Sequence, residues 1–191
     1  MAWVDELVIG RGLCPWASEA IAASGLHLRA VPSVDAVQQV AMEEAESLLA
    51  STLRRPTTLL VVDADVAVAD FARVARNIQE RLLSTDVDVL AFHPTRMDSG
   101  PGCTDDPNDA AHYAVRSPLP TLQLLRRGDL TRARGDWKKS HDSPLPGALG
   151  LLHENKRRLR RLGPDVLAQL LRGWRQTWTQ GVHEEKDKPK T

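Results

Sequence analysis

The sequence predicts an α/β (or α+β) domain with a small sheet of about three strands, helices packed on it and a helical C-terminal half. Three apolar runs alternate with segments of helical periodicity before residue 95, and helical spacing dominates after residue 120. The 191 residues, 42% of them hydrophobic, suit one domain with a sizeable core. We expect residues 1–182 to form this domain and the charged tail, 183–191, to be disordered.

The first half is predicted as helices and strands in alternation. Residues 3–9, WVDELVI, have the pattern of a short amphipathic helix, and Asp65 is a candidate N-cap for a later one. Strands are predicted at 26–32, 57–63 and 87–94, and helices at 15–24, 34–53 and 66–82.

The second half begins with a stretch rich in Pro, Gly, Asp and Ser. Residues 95–120 predict a long loop with one helical turn after Pro107, and such loops are usually functional or disordered. Pro120 is expected to open a helix, TLQLLRR, and a polar stretch, 134–147, precedes two C-terminal helices. The run KRRLRR (156–161) alternates with core leucines, which predicts a solvated helix face.

Composition excludes several classes of function. The 25 basic and 25 acidic residues leave no net charge, which argues against a nucleic-acid partner. No signal peptide and no apolar run of membrane-spanning length is present, and two cysteines make no disulfide framework. We therefore expect a soluble, cytoplasmic protein with a small-molecule substrate and no membrane partner. The oligomeric state is not predicted.

Cys14 is the first candidate for chemistry. Pro15 is predicted as the first residue of a helix that ends at Gly25, which makes Cys14 the N-cap. Unpaired N–H groups and the helix dipole would favour the thiolate there. The alternative is an inert, buried cysteine that only packs.

His93 is the second candidate. It ends a predicted strand and precedes Pro94, and ligands of open α/β sheets bind beyond the carboxyl ends of the strands. This position suits acid–base catalysis or metal ligation. The alternative is a core histidine whose ring is hydrogen-bonded to a loop carbonyl.

Polar residues of the long loop complete the candidate site. Asp106 would cap a helix beginning at Pro107, or Asp105 and Asp106 would hold a metal together with His93 and Cys103, although no tight ligand spacing occurs. Arg116, with Ser117 and Thr121 nearby, would form a pocket for a carboxylate or phosphate. Alternatively, Arg116 pins the loop through Asp105 or Asp106.

The order of these motifs resembles the family called domain of unknown function 1415, over residues 3–163. The motifs are G-L-C-P-W, F-H-P, D-D-P, R-S-P-L-P-T-L-Q-L-L-R and E-N. The resemblance marks Cys14, Pro15, His93, Pro94, Asp105, Asp106, Arg116, Ser117, Pro118, Pro120, Thr121 and Asn155. This chain has Trp16 where the family has Phe, Gln123 where it has His, and Val115 where it has Asn. The resemblance implies a site but no reaction.

Three functions fit these residues. The first is an enzyme acting on a small anionic substrate, with Cys14 as nucleophile or redox thiol, His93 as general acid or base, and an aspartate orienting His93. Its substrate contacts would come from Arg116, Ser117, Thr121, Trp16 and Asn155. The second is a haem- or metal-dependent oxidoreductase with Cys14 or His93 as ligand, and with Trp16 and Phe92 walling a flat cofactor. The third is a non-catalytic small-molecule binding module.

Overall fold

The computed structural model describes residues 2–141, 145 and 147–186, with side chains through residue 179. One four-stranded sheet lies at its centre, and the predicted α/β class is confirmed. The strands are β1 (Leu26–Val31), β2 (Thr57–Val62), β3 (Val87–Phe92) and β4 (Thr121–Arg126). The α-helices are α1 (Ala17–Ala22), α2 (Val34–Ala50), α3 (Val68–Arg81), α4 (Arg127–Ser140), α5 (Gly147–Leu162) and α6 (Pro164–Lys186). A π-helix spans Trp3–Ile9 and a 3₁₀-helix spans Ala110–Val115.

The strand order β1-β2-β4-β3 brings the chemistry-bearing segments to one edge of the sheet. β1 and β2 are parallel, and β4 lies antiparallel between β2 and β3. The carboxyl ends of β1, β2 and β3 therefore meet the start of β4, where Phe92 pairs with Thr121. Residues 93–120 connect β3 to β4 at this edge, and the His93 N–H donates to the Val115 carbonyl (3.2 Å).

The fourth strand corrects one prediction. The helix expected after Pro120 is β4, because Leu122 and Leu124 are fully buried on one face of the sheet while Gln123 lies on the other. A segment this short fits both periodicities, and hydrogen bonding to two neighbouring strands decides between them. The helix begins only at Arg127, so residues 134–140 of the predicted polar stretch are helical; 142–144 and 146 lie outside the described residues.

Two apolar clusters cover the two faces of the sheet. The first packs α2 and α3 against residues such as Leu60 and Leu122. The second packs the π-helix, the 3₁₀-helix, α5 and α6 against the opposite face, including Leu59. The result is three layers, and the helical C-terminal half forms one of them. No helix of the described residues is long and apolar enough to cross a membrane.

Several predicted element boundaries differ from the structure by one to four residues, three of them at helices α1, α3 and α6. Helix α1 begins at Ala17 rather than Pro15, although Gly25 closes it by donating its N–H to the Ala20 carbonyl (2.7 Å). Helix α3 begins at Val68 with Ala67 as N-cap, so Asp65 does not cap it. Helix α6 continues to Lys186, four residues into the predicted tail, and 187–191 lie outside the described residues.

Candidate functional site

The Cys14 thiol lies in the turn that precedes α1. The N-cap of α1 is Trp16, so the predicted Cys14 cap is wrong, although the backbone N–H groups of Trp16 and Ala17 act to lower the pKa of the thiol. Burial outweighs this effect and raises the pKa of the thiol above its ordinary value. The direction of the shift is therefore opposite to the predicted one.

Helix α5 holds the Cys14 turn in place. The Asn155 side chain donates from Nδ2 to the Leu13 carbonyl (2.6 Å), and Arg158 donates from Nη1 to the Gly12 carbonyl (2.7 Å). Asn155 Oδ1 is buried without a hydrogen-bond partner among the described residues. Asn155, predicted to bind substrate, thus positions the Cys14 backbone.

His93 is a buried histidine whose two ring nitrogens are both occupied. Nε2 donates to the Val66 carbonyl (2.9 Å), and Nδ1 accepts from the Thr95 N–H (3.2 Å). Burial lowers the pKa of the ring, so it stays neutral, and it packs against Phe71 of α3 with centroids 5.9 Å apart. Across the described residues no hydrogen bond joins His93 to Cys14. This geometry matches the core-histidine alternative.

Among the described residues, neither of the two adjacent aspartates of the loop is hydrogen-bonded to the His93 ring. Asp105 and Asp106 are both exposed, and Asp106 Oδ1 accepts from the Asn108 N–H (2.9 Å). The cap of the following 3₁₀-helix is Asp109, whose carboxylate accepts from the Ala111 N–H (2.9 Å), so the predicted Asp106 cap is wrong.

The Arg116 side chain is hydrogen-bonded to other residues of the long β3–β4 loop. Its Nε donates to the Arg96 carbonyl (2.9 Å), its Nη2 to the Pro107 carbonyl (3.3 Å), and its guanidinium lies over the Tyr113 ring. Ser117 and Thr121 both donate to the Leu119 carbonyl. The pinning role is therefore observed, but the partners are backbone carbonyls and not the two aspartates.

A different cluster lies where α5 meets the long loop. Lys156 is only 1% exposed; its Nζ lies 2.9 Å from Asp98 Oδ2 and donates to the Pro101 carbonyl (2.7 Å). The half-buried Cys103 thiol lies close enough to the Lys156 ammonium and the Asp98 carboxylate to affect the pKa of both. A thiol, an ammonium and a carboxylate are thus neighbours, a combination found in nucleophilic active sites.

Electrostatics keep this cluster ionised. Burial alone would neutralise both charges, but mutual hydrogen bonding raises the pKa of Lys156 and lowers the pKa of Asp98. Burial raises the pKa of Cys103, so its thiol is protonated in the resting state. In the resting state, a charged ammonium and a charged carboxylate therefore lie beside a neutral thiol.

A second contact fastens the same loop one helical turn further along α5. Arg160 binds both carboxylate oxygens of Asp109 (2.9 and 2.6 Å) and donates to the Gly102 carbonyl (2.6 Å).

The predicted solvated face of α5 is wrong for Lys156, which is buried. Position 156 falls on the apolar stripe defined by Leu152 and Leu159, and this spacing indicates a buried lysine that needs a buried partner.

The residues proposed for a cofactor are arranged otherwise. Phe92 packs edge-on against Trp3 (centroids 5.8 Å apart) inside the second apolar cluster, and Trp16 is half-buried beside the Cys14 turn. Among the described residues, no group of three or more His, Cys, Asp or Glu side chains is placed to hold a metal ion.

These features define a three-layered α/β protein whose long β3–β4 loop is fastened to α5 by buried and half-buried ion pairs. The family model described as "Protein of unknown function (DUF1415)" matches residues 1–168. The chain belongs to this family, as the order of its motifs predicts. No curated protein and no solved structure matches it.

Proposed function

We propose that the protein is a thiol-dependent enzyme acting on a small anionic molecule, with Cys103 as its nucleophile. The observation that carries this proposal is the ion pair of the buried Lys156 ammonium with the Asp98 carboxylate, beside the half-buried Cys103 thiol. Cys14 and His93 are weaker candidates for catalysis. The Cys14 thiol is desolvated and has no neighbouring base among the described residues, and both ring nitrogens of His93 are already hydrogen-bonded.

The three groups suit acyl transfer. As Cys103 Sγ bonds to the acyl carbon, Asp98 accepts the thiol proton, and the Lys156 ammonium stabilises the negative charge that develops on the carbonyl oxygen. The leaving group departs with the proton from Asp98. Water then attacks the thioester, one of its protons returns to the sulfur by way of Asp98, and the free acid leaves. Water is the only co-reactant.

The charge of α5 supports an anionic substrate. Five cations lie in its last two turns: Lys156, Arg157, Arg158, Arg160 and Arg161. Within the described part of the chain, the carboxylates that pair with them are Asp98, Asp109 and Glu154. The surplus positive charge beside the loop would attract a carboxylate or phosphate group. A cytoplasmic location belongs to the same proposal, because both cysteines are free and a reducing compartment keeps the nucleophile active.

The test uses the nitrophenyl monoester of succinic acid, which is anionic, and nitrophenyl butyrate as its neutral counterpart. We expect faster release of nitrophenol from the anionic ester, and trapping of a succinyl group on Cys103, seen by peptide mass spectrometry. Cys103→Ser should lower the rate by about 100-fold or more. Cys14→Ser, the matched thiol control, should leave it unchanged.

Two results would overturn the proposal. One is loss of turnover in Cys14→Ser with full activity in Cys103→Ser. The other is the absence of acylation at either cysteine with both esters, which would favour the non-catalytic binding module.

A further inference from the structure

We propose that a basic cleft on the outer side of α4 binds a phosphate-bearing small molecule of the diphosphate class. The cleft has a volume of about 570 Å³ and lies where the α2–β2 connection meets the end of β4 and α4. Five cations line it: Arg54, Arg55, Arg126, Arg132 and Lys139. None of them belongs to the Cys103 cluster, so this proposal is independent of the proposed function.

The charge of the lining selects the ligand class. Asp129 and Asp136 line the cleft, and Glu19 forms ion pairs with Arg54 and Arg55 beside it, so positive charge exceeds negative by two. The chain as a whole is neutral, and the surplus is therefore local. A diphosphate ester carries about two to three negative charges near neutral pH, which this surplus largely compensates. A lone carboxylate would compensate only half of it.

Two of the arginines are fixed before any ligand binds. Arg126 donates to Asp129 (2.6 Å) and to the carbonyls of Ser51 (2.9 Å) and Leu53 (2.7 Å). Arg55 donates to Glu19 (2.8 Å) and Asp136 (2.7 Å). A guanidinium has five donor hydrogens, so Arg126 retains two and Arg55 three. The two guanidinium groups are already held in place, so little conformational entropy is lost when their free N–H groups bind a ligand.

The backbone at Arg55 is itself unusual. Its φ of 53° lies in the left-handed region, which is uncommon for a residue with a side chain. Such conformations are kept where the surrounding structure requires them, often at ligand clamps. Here the conformation places the Arg55 side chain, which is only 13% exposed, between Glu19 and Asp136 at the cleft.

The remaining cations can close over a ligand. The side chains of Arg54 and Arg132 are 72% and 68% exposed, and each forms one ion pair at the surface, Arg54 with Glu19 and Arg132 with Asp129. Lys139 is exposed and has no hydrogen bond or ion pair within the described part of the chain. Four of the five cations are arginines, whose planar guanidinium binds two phosphate oxygens at once.

Calorimetric titration of the full chain with inorganic pyrophosphate tests the site, with succinate as the carboxylate counterpart. We expect saturable binding of one pyrophosphate per chain, much weaker binding of succinate, and a loss of affinity when salt is raised. Arg54→Ala and Lys139→Ala should each lower the affinity roughly tenfold. Both side chains are exposed, so the melting temperature should not change.

Arg76→Ala is the matched control, because Arg76 is an exposed cation on α3, outside the cleft. An equal loss of affinity in this control would mean nonspecific attraction and would overturn the proposal. So would equal affinity for succinate, or no binding of millimolar pyrophosphate. Tighter binding of a single-stranded oligonucleotide than of pyrophosphate would also overturn it, in favour of an extended nucleic-acid surface.

Discussion

The Lys156 ammonium and the Asp98 carboxylate form an ion pair of 2.9 Å, with the lysine side chain 1% exposed and the aspartate side chain 14% exposed. This contact joins the middle of α5 to the start of the long loop, beside Cys103. Because a buried charge without a partner is costly, the pair is expected to matter for stability as well as for chemistry.

Lys156→Met tests this contact. The substitution keeps most of the apolar volume but leaves Asp98 without its counter-ion, so we expect a loss of about 3–5 kcal/mol in the free energy of unfolding. Urea denaturation at pH 7 measures it. Arg161→Met, an exposed change on the same helix, should stay within about 0.5 kcal/mol. A similarly small change for Lys156→Met would show that the pair contributes nothing.

Acid should weaken the second contact of the loop. Hydrogen bonds from Arg160 hold the pKa of Asp109 far below its usual range. The stabilisation that ionised Asp109 provides is therefore complete above its unfolded-state pKa of about 3.9. It is lost as the pH falls from there toward the pKa of Asp109 in the folded state. Asp109→Asn should lower the free energy of unfolding by about 1 kcal/mol at pH 7, and the difference between the variant and the original protein should narrow below pH 4. Urea titrations at several pH values measure it; a difference that stays constant down to pH 2.5 contradicts the assignment.

His93 predicts a loss of stability at mildly acidic pH. Burial lowers the pKa of its ring in the folded state, so the unfolded chain binds the proton more readily. The stabilising effect is complete above about pH 6.5 and declines as the pH falls below that value. His93→Gln, which can still donate to the Val66 carbonyl, should show a shallower decline between pH 7.5 and 5.5. Equal slopes for the two proteins would refute this prediction.

Glycine-to-alanine substitutions at two positions should change the stability of the protein in opposite directions. Gly12 has a φ of 64°, and an added Cβ would lie 2.5 Å from Arg158 Nη1. Gly12→Ala should therefore cost about 1–2 kcal/mol and loosen the Cys14 turn. Gly173, inside α6, has no atom within 4 Å of an added Cβ, so Gly173→Ala should stabilise by about 0.5–1 kcal/mol. Thermal unfolding of both variants checks the pair, and destabilisation by both would contradict it.

The sequence predicted the elements that have a long or regular pattern. Helices α2 and α5 follow from apolar positions recurring every three or four residues, and β2 follows from an uninterrupted apolar run. β4 was missed because six residues satisfy the helical and the extended pattern alike. Its neighbours β2 and β3 are distant in sequence, and only their hydrogen bonds select the strand.

The candidate site was predicted less well. His93 and Arg116 do lie at the expected edge of the sheet, but the long loop itself occupies their polar atoms. Cys14 meets the expected N–H groups, yet its burial, which depends on α5 and the π-helix, reverses the expected pKa shift. Lys156 belongs to a basic run in which Arg157 and Arg158 pair with Glu154 near the surface, so the run as a whole has the pattern of a solvated face.

By itself the sequence determined the α/β class, the alternation of the first half and the family, because local periodicity and motif order are properties of neighbouring residues. The tertiary structure alone decided which titratable groups are buried, which are paired and which face each other. Desolvation and pairing depend on atoms brought together from distant segments, as Lys156, Asp98 and Cys103 are.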